Sequence, residues 1–224
     1  MCGAGLRTMD HRNGSAQAPV LVVAAVRQEL SFFEAGGKVQ ALLTGMGPGR
    51  AGRAIRRSLA GRDYRLVVST GFAGGTRPGL RVGDLVIASE VIEVSSGQRR
   101  IPSLCPWNGR FLAGPLATVD RPLSDPKKKA EFGAVHGAIA VDMETAAVAA
   151  AASEVGVPWL ALRAILDPME VTLSAGSFRE AIGLLARPSR WAELTNLMEA
   201  IRTAGQSLAG GLQWLVQEPM VCKG

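Results

Sequence analysis

The sequence predicts an α/β domain with a mostly parallel sheet covered on both faces, and three observations carry that prediction. Short apolar runs recur at Val20–Val26, Val39–Leu43, Leu66–Thr70 and Trp159–Ile165, nearly continuous rather than alternating. Strands buried on both faces read this way, because neither face meets water. Helical stretches separate the runs, and strand–helix alternation is the pattern of a parallel sheet with helical layers. Composition agrees. The 224 residues are 47% hydrophobic and 20% charged, which excludes a disordered chain, and 27 Gly with 12 Pro supply turns without low complexity. At this length one domain is the simpler reading.

Residues 1–17 are small, polar and Gly-rich and read as a mobile leader, followed by a domain over 18–213 and a tail over 214–224. Val20–Val26 is the first strand and Val39–Leu43 the second. Gly49–Ala60 is a short basic helix, Leu66–Thr70 a third strand and Gly71–Gly75 a Gly-rich turn. Leu85–Val94 is β-branched and strand-like. Residues 95–123 carry Pro, Gly and no period, and read as irregular. Ser124–Phe132 is a polar helix capped by Ser124 or Asp125. Ala138–Val141 is a strand and Met143–Val155 an Ala-rich helix ended by Gly156. After the strand Trp159–Ile165 come helices Ser177–Ala186 and Trp191–Leu212, broken at Arg187-Pro188-Ser189.

Several function classes fall away. Cys2, Cys105 and Cys222 are odd in number and lack a CxxC spacing, which opposes a disulfide framework or a structural zinc site. His11 and His136 are far apart, so no metal site is expected. The +6 charge permits anion binding, yet 5% aromatics, one of them Tyr, oppose a stacking platform for nucleic acid. No uncharged apolar run approaches the roughly 18 residues of a membrane span. Ala18–Val26 runs into Arg27-Gln28-Glu29 without a small-residue cleavage site, so it reads as a strand rather than a signal peptide and the expected location is cytoplasmic.

Three constellations carry candidate chemistry. Gly47-Pro48-Gly49-Arg50-Ala51-Gly52 fits GxGxxG after a strand and before a helix. A Pro inside it, its place after the second strand and the lack of an acid about 20 residues on oppose a dinucleotide site. A tight glycine turn facing a smaller ligand remains, beside a plain strand-to-helix turn. The second constellation, Ser69 to Gly75, puts hydroxyls and small residues where a ligand approaches closely. The third is a set of acids at different strand ends: Glu29, Asp142 with Glu144, and Asp167. Singly, each has a structural reading, such as Asp142 capping the next helix. Jointly, they mark the crevice where open α/β sheets bind ligands.

These residues resemble a known family. Asp142-Met143-Glu144 before a small-residue helix, then Leu162-Arg163-Ala164-Ile165-Leu166-Asp167, is similar to the nucleoside phosphorylase and methylthioadenosine/adenosylhomocysteine nucleosidase superfamily. Thr44-Gly45-Met46-Gly47, Thr70 to Gly75 and Val82-Gly83-Asp84 match its blocks in order. The resemblance spans about Val20 to Asp167. Val141 to Thr145 and Asp167-Pro168 look most like the hopanoid-associated phosphorylase branch.

The resemblance implies a three-layer fold with a central mixed, partly barrel-like sheet, and cleavage of a purine nucleoside's N-glycosidic bond. The substrate it points to is a 5′-modified, adenosylhopane-like adenosine. Asp167 would protonate the base at N7, and Glu144 would bind the ribose hydroxyls. Met143 would pack beneath the sugar, Arg163 would orient Asp167 or Glu144, and Phe72, Ala73 and Gly74 would line the base side. Asp142, Thr118 and Val119 complete the implied substrate contacts. Phosphorolysis is the first expectation, with Gly47, Thr70, Gly71 and Arg27 at the phosphate or water site. Inorganic phosphate would then be a co-substrate, and no other cofactor is implied. Family phosphorylases hold phosphate with an Arg before the Gly-rich turn, where this chain has Val67-Val68-Ser69. The alternative is hydrolysis with Glu29 positioning water. Nucleosidases also stack adenine on an aromatic loop, whereas the matching Gly114–Val119 has no ring. A non-catalytic nucleoside-binding module is the reading from another class. The expected partners are a small-molecule nucleoside and further copies of the chain, with no nucleic acid.

Overall fold

The computed structural model describes residues 18–104, 109–170 and 191–217. Its eight strands are β1 (Val20–Ala24), β2 (Val39–Leu43), β3 (Leu66–Gly75), β4 (Leu85–Glu93), β5 (Gln98–Arg100), β6 (Leu112–Thr118), β7 (Ala140–Asp142) and β8 (Trp159–Asp167). The helices are α1 (Pro48–Gly61), α2 (Pro126–His136), α3 (Thr145–Glu154) and α4 (Trp191–Gln217), with a 3-10 turn at Arg27–Leu30. The leader and the expected helix Ser177–Ala186 lie outside the described residues.

The strands form one sheet ordered β2-β1-β3-β7-β6-β4-β5, and β8 pairs with both β3 and β4. That double pairing closes β3, β8, β4, β6 and β7 into a small barrel, with β1 and β2 continuing the sheet beyond β3. Five ladders are parallel, and β3–β7, β4–β5 and β4–β8 are antiparallel. The sheet is therefore mixed.

Alternate residues of the apolar strands enter two cores, the reason these strands are apolar throughout. Leu21, Val23 and Val67 pack with Ala51 and Ile55 of α1 and the alanines of α3. Val20, Val22 and Val68 pack with Ala204, Leu208 and Leu212 of α4 on the other face. Small α3 side chains let that helix lie close to the sheet. The arrangement is three layers, helix on sheet on helix.

Three expectations are corrected. The stretch Gly71–Gly75 is no turn: β3 runs through it, paired with β8 along its length and with β7 at Gly74 and Gly75. Pairing on both edges outweighs glycine's poor strand propensity, and missing side chains admit close neighbours. Residues 95–123 are not all irregular, since they contain β5 and β6. Pro115 hid β6, because proline donates no ladder hydrogen bond. The register shift between Ala88 and Glu90 opposite Gly114 and Pro115 shows the bulge that accommodates it. Finally, α4 continues past the expected helix end at Leu212, with Leu215 buried and Trp214 edge-on to Phe111 at 5.5 Å. No helix among the described residues is long and apolar enough to cross a membrane.

Candidate active site

One cavity lies at the carboxyl ends of β1, β3, β7 and β8, and three acids reach it from separate elements: Glu29, Glu144 and Asp167. Each is held differently.

Glu29 sits in the 3-10 turn just after β1. Its Oε2 accepts from the backbone N–H groups of Ala25 at 2.7 Å and Val26 at 3.0 Å, and Oε1 accepts from Phe72 N–H at 3.0 Å. Gly71 makes this approach possible, because a Cβ there would stand 2.5 Å from Glu29 Oε1. Burial raises the Glu29 pKa, while the three backbone donors and the nearby Arg163 draw it back down.

Glu144 follows β7 at the start of α3. Its Oε1 accepts from Gly47 N–H at 2.8 Å. Gly47 has φ +97, open to glycine at little cost, and this turn aims its amide at the carboxylate. Burial, and next the negative charge of Asp142, push the Glu144 pKa up to about 7.

Asp167 ends β8. Between Ala73 and Gly74 the register with β3 shifts, so that Ala73 faces Ile165 but Gly74 faces Asp167. The extra residue, Leu166, re-aims the strand end and brings both Leu166 and Asp167 to the cavity. Asp167 Oδ2 lies 2.6 Å from Nζ of Lys129, whereas Oδ1 is buried without a hydrogen-bond partner among the described residues. Burial raises the Asp167 pKa and Lys129 opposes the rise.

Of the other residues predicted for the site, Met143, Phe72, Ala73, Gly74 and Val119 line the cavity. Asp142 also borders it, but its carboxylate is occupied. Oδ1 accepts from the Thr118 hydroxyl at 2.8 Å, and Oδ2 accepts from Arg163 at 2.6 and 2.9 Å and from Thr145 N–H at 3.1 Å. The expected role of Arg163 is corrected here: it is 2% exposed and orients Asp142, not Asp167 or Glu144, and it also bonds Ser69 and the Leu162 carbonyl. Its charge still reaches Glu29 and Glu144. Thr118 belongs to the same network, for its hydroxyl also accepts from Ala146 N–H at 3.0 Å, and neither residue borders the cavity.

The expected phosphate or water set is dispersed. Gly47 binds Glu144, Gly71 packs on Glu29, and Thr70 is buried with its hydroxyl unpartnered among the described residues. Arg27 is exposed and does not border the cavity. No Lys or Arg appears among the described residues lining it, and no described group of His, Cys, Asp and Glu is arranged to hold a metal.

Sequence reasoning missed Lys129, which sits in α2, a helix capped by the Asp125 carboxylate on Lys128 N–H. No local signal marked it, because the burial of Lys129 and of Gly133 one turn on is decided by the packing of α2. It also missed Leu197 and Ile201 of α4, which cover the cavity. Gly205 lets α4 close on the 3-10 turn, since a Cβ there would lie 3.1 Å from the Phe32 ring.

The model of a known family matches residues 1–106 and 108–187, under the description Phosphorylase superfamily. The chain belongs to that superfamily. A 5′-methylthioadenosine/S-adenosylhomocysteine nucleosidase of Geobacillus kaustophilus is 32% identical over 160 residues, covering 58% of this chain and 67% of the relative. Among solved structures, the nucleosidase of the same name from Colwellia psychrerythraea in complex with adenine superposes with a TM-score of 0.64 at 20% identity, over 92% of this chain and 98% of that one. Futalosine hydrolase of Helicobacter pylori superposes with a TM-score of 0.66 at 17% identity, over 91% and 99%. At those identities the structures establish the shared fold. As a superfamily member, the protein is a glycosyl-bond-cleaving enzyme.

Proposed function

We propose that this superfamily member hydrolyses the N-glycosidic bond of a purine nucleoside, a 5′-modified adenosine, with water as nucleophile. The observation that carries the reading is a cavity walled by three carboxyl groups with no described cation lining it. An anionic phosphate would meet repulsion there, whereas water needs an acceptor. The order of the two sequence expectations is thereby reversed, with hydrolysis ahead of phosphorolysis. The activity named for the Geobacillus relative agrees with it.

Each acid has a distinct role in the proposal. A carboxylate has about four lone-pair sites. Glu29 gives three of them to backbone N–H groups, which leaves one to orient water and accept its proton. The bond to the base breaks towards an oxocarbenium-like sugar cation, and Glu144 places negative charge and an acceptor for ribose hydroxyls beside it. Asp167 donates a proton to N7 so that the purine leaves neutral, which burial assists by favouring the protonated acid. Met143 packs against the sugar, and Phe72 supplies the ring missing from Gly114–Val119. The products are free base and free sugar, no cofactor takes part, and the enzyme works in the cytoplasm as a homo-oligomer.

A second reading concerns the 5′ group. Leu197, Ile201, Leu123 and Pro122 give the cavity an apolar wall, which favours a bulky hydrophobic substituent of the adenosylhopane kind. The experiment measures adenine release from 5′-methylthioadenosine and from an adenosine with a bulky apolar 5′ group, each with and without phosphate. Hydrolysis predicts equal release without phosphate and a free sugar. A strict phosphate requirement with a sugar 1-phosphate product would sink it.

A further inference from the structure

The reaction as described does not use the buried lysine. Lys129 is 0% exposed, its Nζ is 2.6 Å from Asp167 Oδ2, and it donates to the Pro168 carbonyl at 3.0 Å. Its place follows from close packing. One turn on, Gly133 lies against the Thr76 carbonyl, where a Cβ would come within 2.3 Å. The helix thus presses Lys129 under the end of β8. A buried ammonium is tolerated only when paired and hydrogen-bonded, so the pairing is part of the fold.

A general acid in a closed pocket meets the converse difficulty. Protonated, it is neutral and tolerates burial. Once it has released its proton it is a buried carboxylate, which is costly unless a cation stands beside it. The one described cation that acts on Asp167 is Lys129. Its hydrogen bond engages Oδ2 and fixes the carboxyl group at the cavity wall.

Building on the nucleosidase reading, we propose that Lys129 is a positioning residue and counter-ion for the general acid, holding Asp167 by Oδ2 and neutralising it as the proton leaves. The step balances. The O–H bond of Asp167 breaks as N7–H forms, and the electron pair of the C1′–N9 bond passes to the purine. Asp167 remains as a carboxylate paired with the Lys129 ammonium. The attacking water's proton goes to Glu29 and then to solvent, and solvent re-protonates Asp167.

Six charged groups surround the reaction. Glu29 on the 3-10 turn, Glu144 after β7 and Asp167 on β8 face the cavity, Arg163 on β8 neutralises Asp142 at the end of β7, and Lys129 on α2 neutralises Asp167. Lys129 lowers a pKa that burial raises. Without it Asp167 would keep its proton to higher pH, yet would be a weaker acid and leave an unpaired buried charge.

The test compares wild type, Lys129→Met and Lys129→Arg on 5′-methylthioadenosine across pH, alongside 4-nitrophenyl riboside, whose phenolate leaves without protonation. For the methionine variant kcat should fall about 10–100-fold, less than the ~10²–10⁴-fold that the whole of general-acid help supplies, with KM little changed. The alkaline limb of its profile should move to higher pH, and nitrophenyl release should fall far less. Arginine should restore the limb. Equal losses on both substrates, or an unmoved limb, would overturn the proposal. Wild type that frees no adenine from methylthioadenosine would instead overturn the reading beneath it. Should Lys129→Met be too unstable to assay, melting decides. The double variant with Asp167→Asn, free of an unpaired buried charge, should melt above Lys129→Met, and equal or lower melting would overturn the pairing.

Discussion

Two buried ion pairs meet on β8, Arg163 with Asp142 and Lys129 with Asp167, each at 2.6 Å, and they are opposite in character. Asp142 has donors on both oxygens, from Arg163, Thr118 and Thr145. Asp167 has one oxygen on Lys129 and the other unpartnered among the described residues, and it borders the cavity. A carboxylate with donors on both oxygens and its charge matched by a buried guanidinium is a structural element. An unsaturated one beside a cavity can bind or move a proton. Two aspartates, each paired with a buried cation, thus do different work, and their donors and their exposure to the cavity separate them.

Substitution of the two aspartates should show the largest contrast. Asp167→Asn should lower base release about 10²–10⁴-fold, as loss of a general acid does, and should also lower melting, because buried Lys129 loses its carboxylate partner. Asp142→Asn should act first on the fold, since it leaves Arg163 buried and unpaired, at about 3–5 kcal/mol in a denaturant titration. Equal loss of base release by the folded fraction of each variant would remove the distinction.

A smaller effect is expected on the nucleophile side. In Gly71→Ala the new methyl would stand 2.5 Å from Glu29 Oε1 and displace a carboxylate that backbone amides now hold. A misplacement near 1 Å costs about 10²-fold in rate. Activity equal to wild type in this variant would remove Glu29 from the mechanism.

The smallest effect is a pH dependence in which activity and stability run in opposite directions. Glu144 has a pKa of about 7 against 4.5 when exposed, so the folded protein binds its proton more tightly than the unfolded one. Its contribution to stability is present below 4.5 and lost as pH rises through about 7. Ribose binding needs the carboxylate, so base release should fall as pH drops through about 7. Melting of wild type minus that of Glu144→Gln should rise over the same interval. A flat difference would mean that Glu144 is not protonated there.

Much of this was legible before the structure. The apolar runs identified the strands that enter both cores, because a strand buried on two faces has no polar side to show. Glu29, Glu144 and Asp167 were found as acids at strand ends. β1 and β8 run parallel to β3 and bring Glu29 and Asp167 to one rim, while β7 runs against β3 and brings Glu144 there through its pairing at Gly74 and Gly75. What was hidden has a common cause. β6 was obscured by Pro115, tolerated only because a bulge in β4 lies opposite. Gly71–Gly75 carries a turn's composition and is held extended by partners distant in sequence. Lys129 stands among three consecutive lysines, and nothing local marks the one that α2 turns inward.

The sequence by itself determined the layered α/β architecture, the superfamily and the acids, since burial period and residue type are local properties. The tertiary structure alone decided which groups those acids meet. Pairing Arg163 with Asp142 and Lys129 with Asp167 depends on β8 lying between β3 and β4 and on α2 closing over its end. A carboxyl group's proton affinity is set by its solvation and by charges within a few ångströms. Those are distances between residues far apart in the chain, fixed by packing.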